Sequence, residues 1–518
     1  MEKTTMSAWF LLFFIVLFAL SIFGVVDVAT AKTFDAWPTN GWQSTTPEEQ
    51  GMKSSVLADM AQTIDDQGLN LHSMTIVRNG YLVLDNYFYP FPEGTMHNFR
   101  SCSQGVLATL VGIAIEKGYI KSVDQPILDF FPERKIAHLD EYKQSITIEN
   151  LLTMTSGLDC QDGGRNKFKG MYAMWRSKDW AQHVLDLPML DQPGKQFDYC
   201  SGAPYLLSAI LQKASGMRSL DFARKYLFAP LGITDAFWET SPQGIDFGYD
   251  QLFLKPQDMA KIGWLYLNKG TWGDEPVVPG AWIEAASQGH VDIDSPLAGQ
   301  FGYQWYVDEK YFWALGAYGQ FIFVAPEKSI VAVFTGAVPM GRPFMQVKSL
   351  FERHILASAT SGIPLENDPA GLDHLKNMTA AIKPKPAKKD VPPLPEISKF
   401  VSGRTYEFKP NRMRLKALTL KFPADSDQAT LQLNIRGEIR RLAVGLDNEL
   451  RFTQVDERIF AYKGTWDGDD TFTYTYRYVN DASFGEARIQ FQGKQLEFNV
   501  HNQCSGIAYK AVGTLANH

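Results

Sequence analysis

Strand-like segments at two distant places in the chain, with a mostly helical stretch between them, constrain the fold more than any other feature. The strand-like segments "HSMTIVRNG" and "YLVLDNYFY" (72–89) are joined at Asn79-Gly80, a dipeptide typical of tight hairpins. From Tyr303 the pattern changes to a period of two, and "QFIFVAPEKSIVAVFTG" (320–336) predicts two further strands across a tight turn. From Ser101 to about Gly244 the pattern is mostly helical. These segments predict an α+β domain in which strands from both of its ends share one antiparallel sheet.

A second domain is predicted after a proline-rich segment, because 518 residues exceed what a single core usually accommodates. The segment "IKPKPAKKDVPPLPE" has no periodicity and is typical of a stiff linker. Beyond it, alternating segments predict an antiparallel sandwich or barrel: 417–422, 429–435, 471–478, 487–492 and 496–500. This region has no cluster of His, Cys or paired carboxylates, so we assign it no chemistry. We therefore divide the chain into an α+β domain, a linker and a C-terminal β domain: 32–381, 382–396 and 397–518.

A long apolar segment lies near the N-terminus. Residues 8–26, "AWFLLFFIVLFALSIFGVV", carry no charge, and Ala29-Thr30-Ala31 fits a small-residue cleavage site. The apolar run is also long enough to span a bilayer as a helix. Residues 1–31 are therefore predicted to be either a cleaved signal peptide or an uncleaved membrane anchor. In both cases we expect the protein to be exported, to the periplasm or the extracellular space.

The net charge and the spacing of the cysteines give no reason to expect nucleic acid or a metal ion as a ligand. A net charge of −7 gives no electrostatic reason to expect nucleic acid as a partner. The cysteines Cys102, Cys160, Cys200 and Cys504 lie far apart without the C-x-x-C spacing of zinc sites, and we expect neither a metal nor another cofactor. Export would permit disulfides. Their pairing stays open between buried thiols and a bridge, for which Cys102 and Cys200 are one conceivable pair.

Three segments carry residue types suited to a nucleophile site. Ser101 begins a buried helix, whose N-terminal N–H groups and dipole favour an anionic oxygen. Tyr199, in "QFDYCSGAPYLL", precedes another buried helix. In "ALGAYGQFIFV", Gly316 and Gly319 would let a substrate approach backbone N–H groups at a strand edge. Each feature alone is more often structural. A functional assignment therefore depends on the order of the three segments and on their sequence context.

Six stretches in the same order, between about residues 45 and 355, resemble the serine β-lactamase-like family. That family includes class C β-lactamases, D-alanyl-D-alanine carboxypeptidases, family VIII esterases and aminohexanoate-dimer hydrolases. The stretches are "NFRSCSQGVLATLVGIAIEKGYIKSVDQPILDFFPE", "ITIENLLTMTSGL", "PGKQFDYCSGAPYLLSAILQKASG", "LFLKPQDMAKIGWLYLNKGTW", "FGYQWYV" and "GQFIFVAPEKSIVAVFTG". The resemblance implies a β-lactamase/transpeptidase-like fold, with a five-stranded antiparallel sheet flanked by helices and an inserted helical subdomain.

The resemblance also implies roles for individual residues. In that family the serine of S-x-x-K attacks a carbonyl, and the lysine and the tyrosine of Y-x-N share its proton. By position, Ser101 matches the nucleophile and Tyr199 the tyrosine, while Ser201 stands where the asparagine is expected. Ser201 keeps a hydroxyl available for hydrogen bonding.

The third family segment, a K-T-G or H-x-G strand, falls at Gly316-Ala317-Tyr318. This form is similar to the G-x-G-G-Q variant of the aminohexanoate-dimer hydrolases, with Tyr318 where a glycine is expected. Gly316, Tyr318, Gly319 and Gln320 are thereby implied to line the ligand site, and N–H groups near Ser101 and Gln320 to form the oxyanion hole. The segment has no basic residue, which disfavours β-lactamase activity.

Gln104 occupies the position of the family's lysine. An amide has no proton affinity near neutral pH, so it cannot take the proton of Ser101. It also has no charge that could lower the pKa of Tyr199, whose phenol should stay protonated and be a poor base. Loss of a general base typically costs on the order of 10²- to 10⁴-fold in rate.

Three hypotheses therefore stay open, and with them the question of whether the chain is an enzyme. In the first, a serine hydrolase-like protein with a weakened or absent Ser/Lys/Tyr relay binds a small-molecule, peptide, amide or ester ligand. In the second, an active esterase or amidase uses Ser101 as acyl nucleophile with a non-standard base. In the third, Tyr318 closes the pocket and the β domain carries an interaction function.

Overall fold

The computed structural model describes residues 37–162 and 169–516. The segment 1–31, predicted to be a signal peptide or anchor, lies outside the described residues, as does its apolar run 8–26. Within the described ranges, no helix is both long enough and apolar enough to cross a membrane.

The first domain is built on an eight-stranded antiparallel sheet with the order β2-β1-β13-β12-β11-β10-β9-β8. Two smaller sheets pair β3-β5-β4 and β6-β7. The strands are β1 (Leu71–Arg78), β2 (Tyr81–Tyr87), β3 (His97–Asn98), β4 (Phe237–Trp238), β5 (Leu252–Leu254), β6 (Thr271–Trp272), β7 (Glu275–Pro276), β8 (Val291–Ser295), β9 (Ala298–Phe301), β10 (Tyr306–Val307), β11 (Phe312–Gly316), β12 (Gln320–Ala325) and β13 (Ile330–Gly336).

The pairing of β1 with β13 confirms that strands from both ends of the domain share one sheet. All eight residues of β1 are buried, and Met74 lies opposite Phe334 across the pair. The β1–β2 hairpin turns at Asn79-Gly80, whose φ angles of 50° and 85° are positive, as a tight hairpin turn requires. The short strands β8 to β10 extend the sheet beyond the five strands that the family resemblance implied.

Helices cover the sheet and form a subdomain between β3 and β4. The helix Ser103–Glu116 is buried on nearly all sides, and a Cβ on Gly112 would lie 2.4 Å from the Trp282 ring. Its chain turns at Gly118, with φ of 74°, as the sequence predicts. The α-helices of this domain are Ser54–Asp66, Ser103–Glu116, Glu141–Gln144, Ile148–Leu152, Lys169–Arg176, Trp180–Leu185, Gly202–Ser215, Ser219–Ala223, Pro256–Leu267, Gly280–Ser287, Arg342–Leu350, Leu356–Ser358 and Pro369–Ala381.

The C-terminal domain is a barrel rather than a sandwich. Its sheet has the order β17-β16-β15-β14-β23-β22-β21-β20-β19-β18. A pairing of Gly445 with Lys463 joins β17 to β19 and closes nine of these strands, from β17 to β19 in that order, into a barrel. The predicted segments correspond to β15, β16, β20, β21 and β22. The strands are β14 (Thr405–Phe408), β15 (Leu415–Lys421), β16 (Gln428–Ile435), β17 (Glu438–Gly445), β18 (Arg451–Val455), β19 (Arg458–Asp467), β20 (Thr471–Tyr478), β21 (Phe484–Gln492), β22 (Gln495–Asn502) and β23 (Ile507–Leu515), preceded by the helix Glu396–Val401.

The proline-rich segment before the barrel lies against both domains. The ammonium of Lys383 donates to Asn70 Oδ1 at 2.5 Å and to the Leu71 carbonyl at 2.7 Å. The Lys389 N–H donates to the Asp447 carbonyl of the barrel at 2.8 Å. Burial lowers the pKa of Lys383 to about 7, with a further contribution from the charge of Arg477. The segment is therefore hydrogen-bonded to the α+β domain near its start and to the barrel near its middle.

Two buried histidines lie side by side on β1 and β3. His72 Nδ1 is 2.9 Å from His97 Nε2, and His97 Nδ1 is 3.0 Å from the Asn98 carbonyl. Because a carbonyl only accepts, we assign the His97 proton to Nδ1, and His97 Nε2 then accepts from His72. Burial lowers the pKa of His72 well below its usual value and that of His97 to about 4. The pair is therefore neutral in the folded protein at pH 7.

We predict that the thermal stability of the protein decreases as the pH falls from about 6.5 to about 4. In this range unfolded imidazoles, with a pKa of about 6.5, bind protons that the folded pair does not. The shift of His97 alone corresponds to a loss of roughly 2–3 kcal/mol across the range. Thermal melts at a series of pH values measure this dependence. His72→Gln should weaken it and the exposed control His374→Gln should not; a native melting temperature constant from pH 7 to 4.5 would contradict the assignment.

Candidate active site

Ser101 lies in the first turn of a continuous helical segment. A single 3-10 turn, Arg100–Cys102, leads directly into the helix Ser103–Glu116. The Cys102 N–H donates to the Phe99 carbonyl at 3.2 Å and the Ser103 hydroxyl to the Arg100 carbonyl at 2.6 Å. These bonds fix the backbone on both sides of Ser101. The helix N-terminus there favours negative charge, as an oxyanion requires.

The structure brings Ser101, Tyr199 and Gln104 together in one chain of hydrogen bonds. The Tyr199 hydroxyl donates to Ser101 Oγ at 3.0 Å. Gln104 Nε2 donates to the Tyr199 hydroxyl oxygen at 2.6 Å and to the Tyr249 carbonyl at 3.3 Å. Gln104 is only 3% exposed. Its amide therefore takes the place in the site that the family resemblance gives to the lysine side chain.

The Tyr249 carbonyl determines the orientation of the Gln104 amide. A carbonyl oxygen only accepts, so the amide atom of Gln104 that faces it must be the nitrogen. The second N–H of the same nitrogen points to the phenol oxygen of Tyr199. The phenol oxygen accepts from Gln104, and the Tyr199 hydroxyl donates to Ser101 Oγ. Ser101 is the terminal acceptor, whereas a nucleophile under activation has to donate its proton to a base.

The protonation of Tyr199 follows from its surroundings. Burial raises the pKa of Tyr199 to about 12, and its hydrogen bonds with Ser101 and Gln104 offset the effect only in part. The charges of Asp162 and Asp250 raise the pKa further. At pH 7 a phenol with that pKa is ionised in on the order of one molecule in 10⁵. Burial thus favours the neutral phenol of Tyr199.

A cavity of about 430 Å³ opens beside Ser101. Its walls are mostly apolar or aromatic, with two carboxylates, and no Lys, Arg or His is among the described residues that line it. The lining residues are Ser101, Asp162, Phe197, Asp198, Tyr199, Ile293, Ser295, Leu297, Tyr306, Leu315, Ala317, Met340 and Phe344. Within the described ranges, no group of three or more His, Cys, Asp or Glu residues is placed to bind a metal ion.

Sequence reasoning missed the two carboxylates of this cavity. Asp162 accepts from the Met171 N–H at 2.7 Å and from the Ser201 N–H at 2.9 Å. Burial and the neighbouring charges of Asp162 and Asp159 raise the pKa of Asp198. The position of Asp198 directly before Tyr199 was the sequence signal that could have indicated this carboxylate.

Ser201 was expected to contact the ligand. It is 2% exposed and is not among the described lining residues.

The cysteine pairing differs from the pair considered from the sequence. Cys160 and Cys200 form a disulfide, while Cys102 and Cys504 are buried free thiols. A bridge between Cys102 and Cys200 is therefore wrong, because Cys102 Sγ lies instead 3.5 Å from the Gln320 carbonyl. The disulfide connects the segment before Asp162 to the residue after Tyr199, and so fixes one wall of the cavity.

Gly316 and Gln320 stabilise the serine segment rather than line the cavity. A Cβ on Gly316 would lie 2.5 Å from the Phe99 carbonyl oxygen and 2.9 Å from Arg100 Cβ, so the serine segment fills the space expected for a substrate. The fully buried amide of Gln320 donates to the Ala317 and Gly336 carbonyls and accepts from the Gly336 N–H. Both residues therefore fix the β11–β12 hairpin beside Ser101.

Tyr318 does not close the cavity. It has a left-handed backbone with φ of 69°, and its carbonyl accepts from the Val338 N–H at 2.8 Å. Its ring packs against a small apolar cluster that includes Ala482 and Cys504 of the barrel, and it is not among the described lining residues. Gly319, with φ of 95°, likewise faces Val338. The hypothesis of a pocket filled by Tyr318 is therefore wrong.

Comparison with known proteins agrees with this geometry. The beta-lactamase family model matches residues 57–340. The 6-aminohexanoate-dimer hydrolase of Paenarthrobacter ureafaciens is 24% identical over 255 residues, which cover 47% of this chain and 64% of that protein. Penicillin-binding protein 4* of Bacillus subtilis (strain 168) is 28% identical over 153 residues, which cover 26% of this chain and 33% of that protein. The chain thus matches less than two thirds of the length of either relative.

One solved structure shares the fold of the first domain. It comes from Bacillus anthracis and carries a provisional name as a 6-aminohexanoate-dimer hydrolase. It superposes with a TM-score of 0.52 at 19% identity, covering 62% of this chain and 89% of its own. At that identity the likeness shows the fold alone.

Proposed function

The chain belongs to the beta-lactamase family, and we propose that it binds a small amide, ester or peptide ligand beside Ser101 and turns it over slowly or not at all. The direction of the hydrogen bonds from Gln104 through Tyr199 to Ser101 is the observation that carries this proposal. The family's chemistry requires a proton to leave the serine, and the assigned hydrogen bond, in which the Tyr199 hydroxyl donates to Ser101 Oγ, supports a site in which that transfer is weak.

The missing step can be stated atom by atom. For acyl transfer, Ser101 Oγ would form a bond to the ligand's carbonyl carbon while its proton moves to a base. The Tyr199 oxygen already carries a proton and accepts from Gln104, so it could act as that base only in the rare ionised form. A general base typically contributes on the order of 10²- to 10⁴-fold. The native chain should therefore be weaker by about that factor than a chain with a lysine at position 104.

The rest of the site supports binding. The cavity has the volume of a small-molecule site, and its largely apolar walls suit a ligand with an apolar acyl group. The helix N-terminus at Ser101 suits a polarised carbonyl oxygen. The names of the two relatives, one a hydrolase of an aminohexanoate dimer and one a penicillin-binding protein, support a ligand with an amide bond.

A second candidate function is an active serine hydrolase with a different base. Asp198 lines the same cavity as Ser101, and its pKa is raised by burial and by neighbouring carboxylates. A carboxylate with a raised pKa is a better proton acceptor than an ordinary surface carboxylate. Asp198→Asn would remove the activity of such an enzyme without changing the Gln104–Tyr199 hydrogen bond.

Export is part of the proposal and is supported by the sequence of residues 1–31 alone. The intact mass of the mature chain distinguishes the alternatives. Loss of residues 1–31 indicates a signal peptide, their retention in a membrane fraction indicates an anchor, and an intact chain in the soluble cytosol contradicts export.

We predict that a fluorophosphonate labels the Gln104→Lys chain at least about 100-fold faster than the native chain, because lysine restores a base beside Tyr199. Intact-mass spectrometry over time measures both rates. Ser101→Ala should abolish labelling in either background. The matched control Gln62→Lys, which adds a lysine on the exposed face of the helix Ser54–Asp66, should label like the native chain.

Rapid labelling of the native chain that disappears with Ser101→Ala would contradict the weakened relay and favour the second candidate. In that case Asp198→Asn tests the alternative base directly.

A further inference from the structure

The barrel reaches the segment that carries Ser101. A loop between β20 and β21 supplies three hydrogen bonds to the two residues that frame the serine turn. The Asn98 N–H donates to the Asn480 carbonyl at 2.9 Å, and Asn98 Nδ2 donates to Asp481 Oδ2 at 3.1 Å. The Arg100 guanidinium donates to the other carboxylate oxygen, Asp481 Oδ1. One barrel carboxylate thus contacts the side chains of both Asn98 and Arg100.

Arg100 adopts a strained backbone directly before Ser101. Its φ of 52° lies in the left-handed region, which costs a residue with a Cβ roughly 1–2 kcal/mol. The Arg100 N–H donates to Asn98 Oδ1 at 2.9 Å, which closes the turn. Such a conformation persists only where surrounding contacts impose it. Here the imposing contacts are the turn bond to Asn98 and the ion pair to Asp481.

The ion pair lies in a largely enclosed place. The side chains of Arg100, Asp481 and Asp250 are 19%, 16% and 12% exposed, and Arg100 Nη1 lies 3.5 Å from Asp250 Oδ2. Burial opposes the charge of Arg100, but the carboxylates of Asp481 and Asp250 raise the pKa of the guanidinium above its usual value. Removing one partner of an enclosed pair leaves the other with an uncompensated charge, which is strongly unfavourable.

The same network connects to the Gln104 side of the site. Asp250, which contacts the Arg100 guanidinium, directly follows Tyr249, whose carbonyl orients the Gln104 amide. Ser101 is therefore framed by Arg100 on one side and by the Gln104–Tyr199 chain on the other. A displacement of Arg100 would move the serine relative to Tyr199.

We propose that Asp481 of the barrel is a positioning residue for Ser101. Its carboxylate fixes Asn98 and Arg100, which hold the left-handed turn that presents Ser101 Oγ to Tyr199 and to the cavity. The inference rests on the proposed function of the Ser101 site and extends it, because the α+β domain alone would then have an incomplete site. The barrel, to which the sequence assigned no chemistry, supplies a group that acts through Arg100 without touching the ligand.

The first test measures serine reactivity in the full-length Gln104→Lys chain with a fluorophosphonate. Asp481→Asn should slow labelling of the folded protein at least about 10-fold, because small misplacements of a nucleophile have effects of this size. Asp481→Glu should restore part of the rate. The matched control Arg458→Gln breaks another contact between barrel and α+β domain, the 2.7 Å ion pair with Glu239, and should change the rate less than twofold.

The second test does not depend on the proton relay. In the native background, Ser101→Cys introduces a thiol whose alkylation by iodoacetamide is followed by mass, against the low background of the buried Cys102 and Cys504. Asp481→Asn should slow this alkylation at least about fivefold, because the thiolate loses its alignment with the helix N-terminus. Arg458→Gln should leave the rate unchanged.

The outcomes separate this inference from the proposed function. If no Gln104→Lys chain is labelled but alkylation still depends on Asp481, the relay argument fails and the positioning role stands. If Asp481→Asn and Arg458→Gln lower the melting temperature equally and leave both rates equal, Asp481 is only an interface contact and the inference is overturned.

Discussion

The amide of Gln104 is the group on which the rest of the site depends. Its nitrogen has two protons and two acceptors, the Tyr249 carbonyl and the Tyr199 phenol oxygen. Since the Tyr249 carbonyl only accepts, it fixes the orientation of the amide, which donates to the Tyr199 oxygen, and the Tyr199 hydroxyl in turn donates to Ser101 Oγ. The same carboxamide has no charge with which to counter the effect of burial on the Tyr199 pKa. We therefore attribute both the hydrogen-bonded arrangement of the site and the proposed weakness of its proton relay to this one amide.

Much of this arrangement could be predicted from local sequence. Periodicity and turn chemistry act over a few residues. They predict the hairpin at Asn79-Gly80, the strands β12 and β13, and the end of the helix near Gly118. The position of Gln104 came from the family resemblance, and the proposal of a weakened relay followed from amide chemistry. The orientation of the Gln104 amide could not be predicted, because the Tyr249 carbonyl that fixes it is 145 residues away from Gln104.

Contacts between distant segments account for the errors. The Cys160–Cys200 bridge spans 40 residues, and adjacency in sequence to candidate site residues did not indicate it. Gly316 was expected to admit a substrate, but the space above it is filled by Phe99 and Arg100, a contact visible only in three dimensions. Asp481 lies 381 residues after Arg100, in a domain whose sequence has no chemical signature. Each of these cases depends on which residue from a distant segment lies next to a given side chain. The periodicity of the sequence does not determine such neighbours.

The proton between Tyr199 and Ser101 is located most directly by neutron diffraction from deuterium-exchanged crystals at neutral pD. The account predicts a deuteron bonded to the Tyr199 oxygen and directed at Ser101 Oγ, with a Gln104 N–D directed at the Tyr199 oxygen. A Tyr199 oxygen without a deuteron, facing a deuteron on Ser101 Oγ, would contradict the account and indicate a serine already poised for transfer.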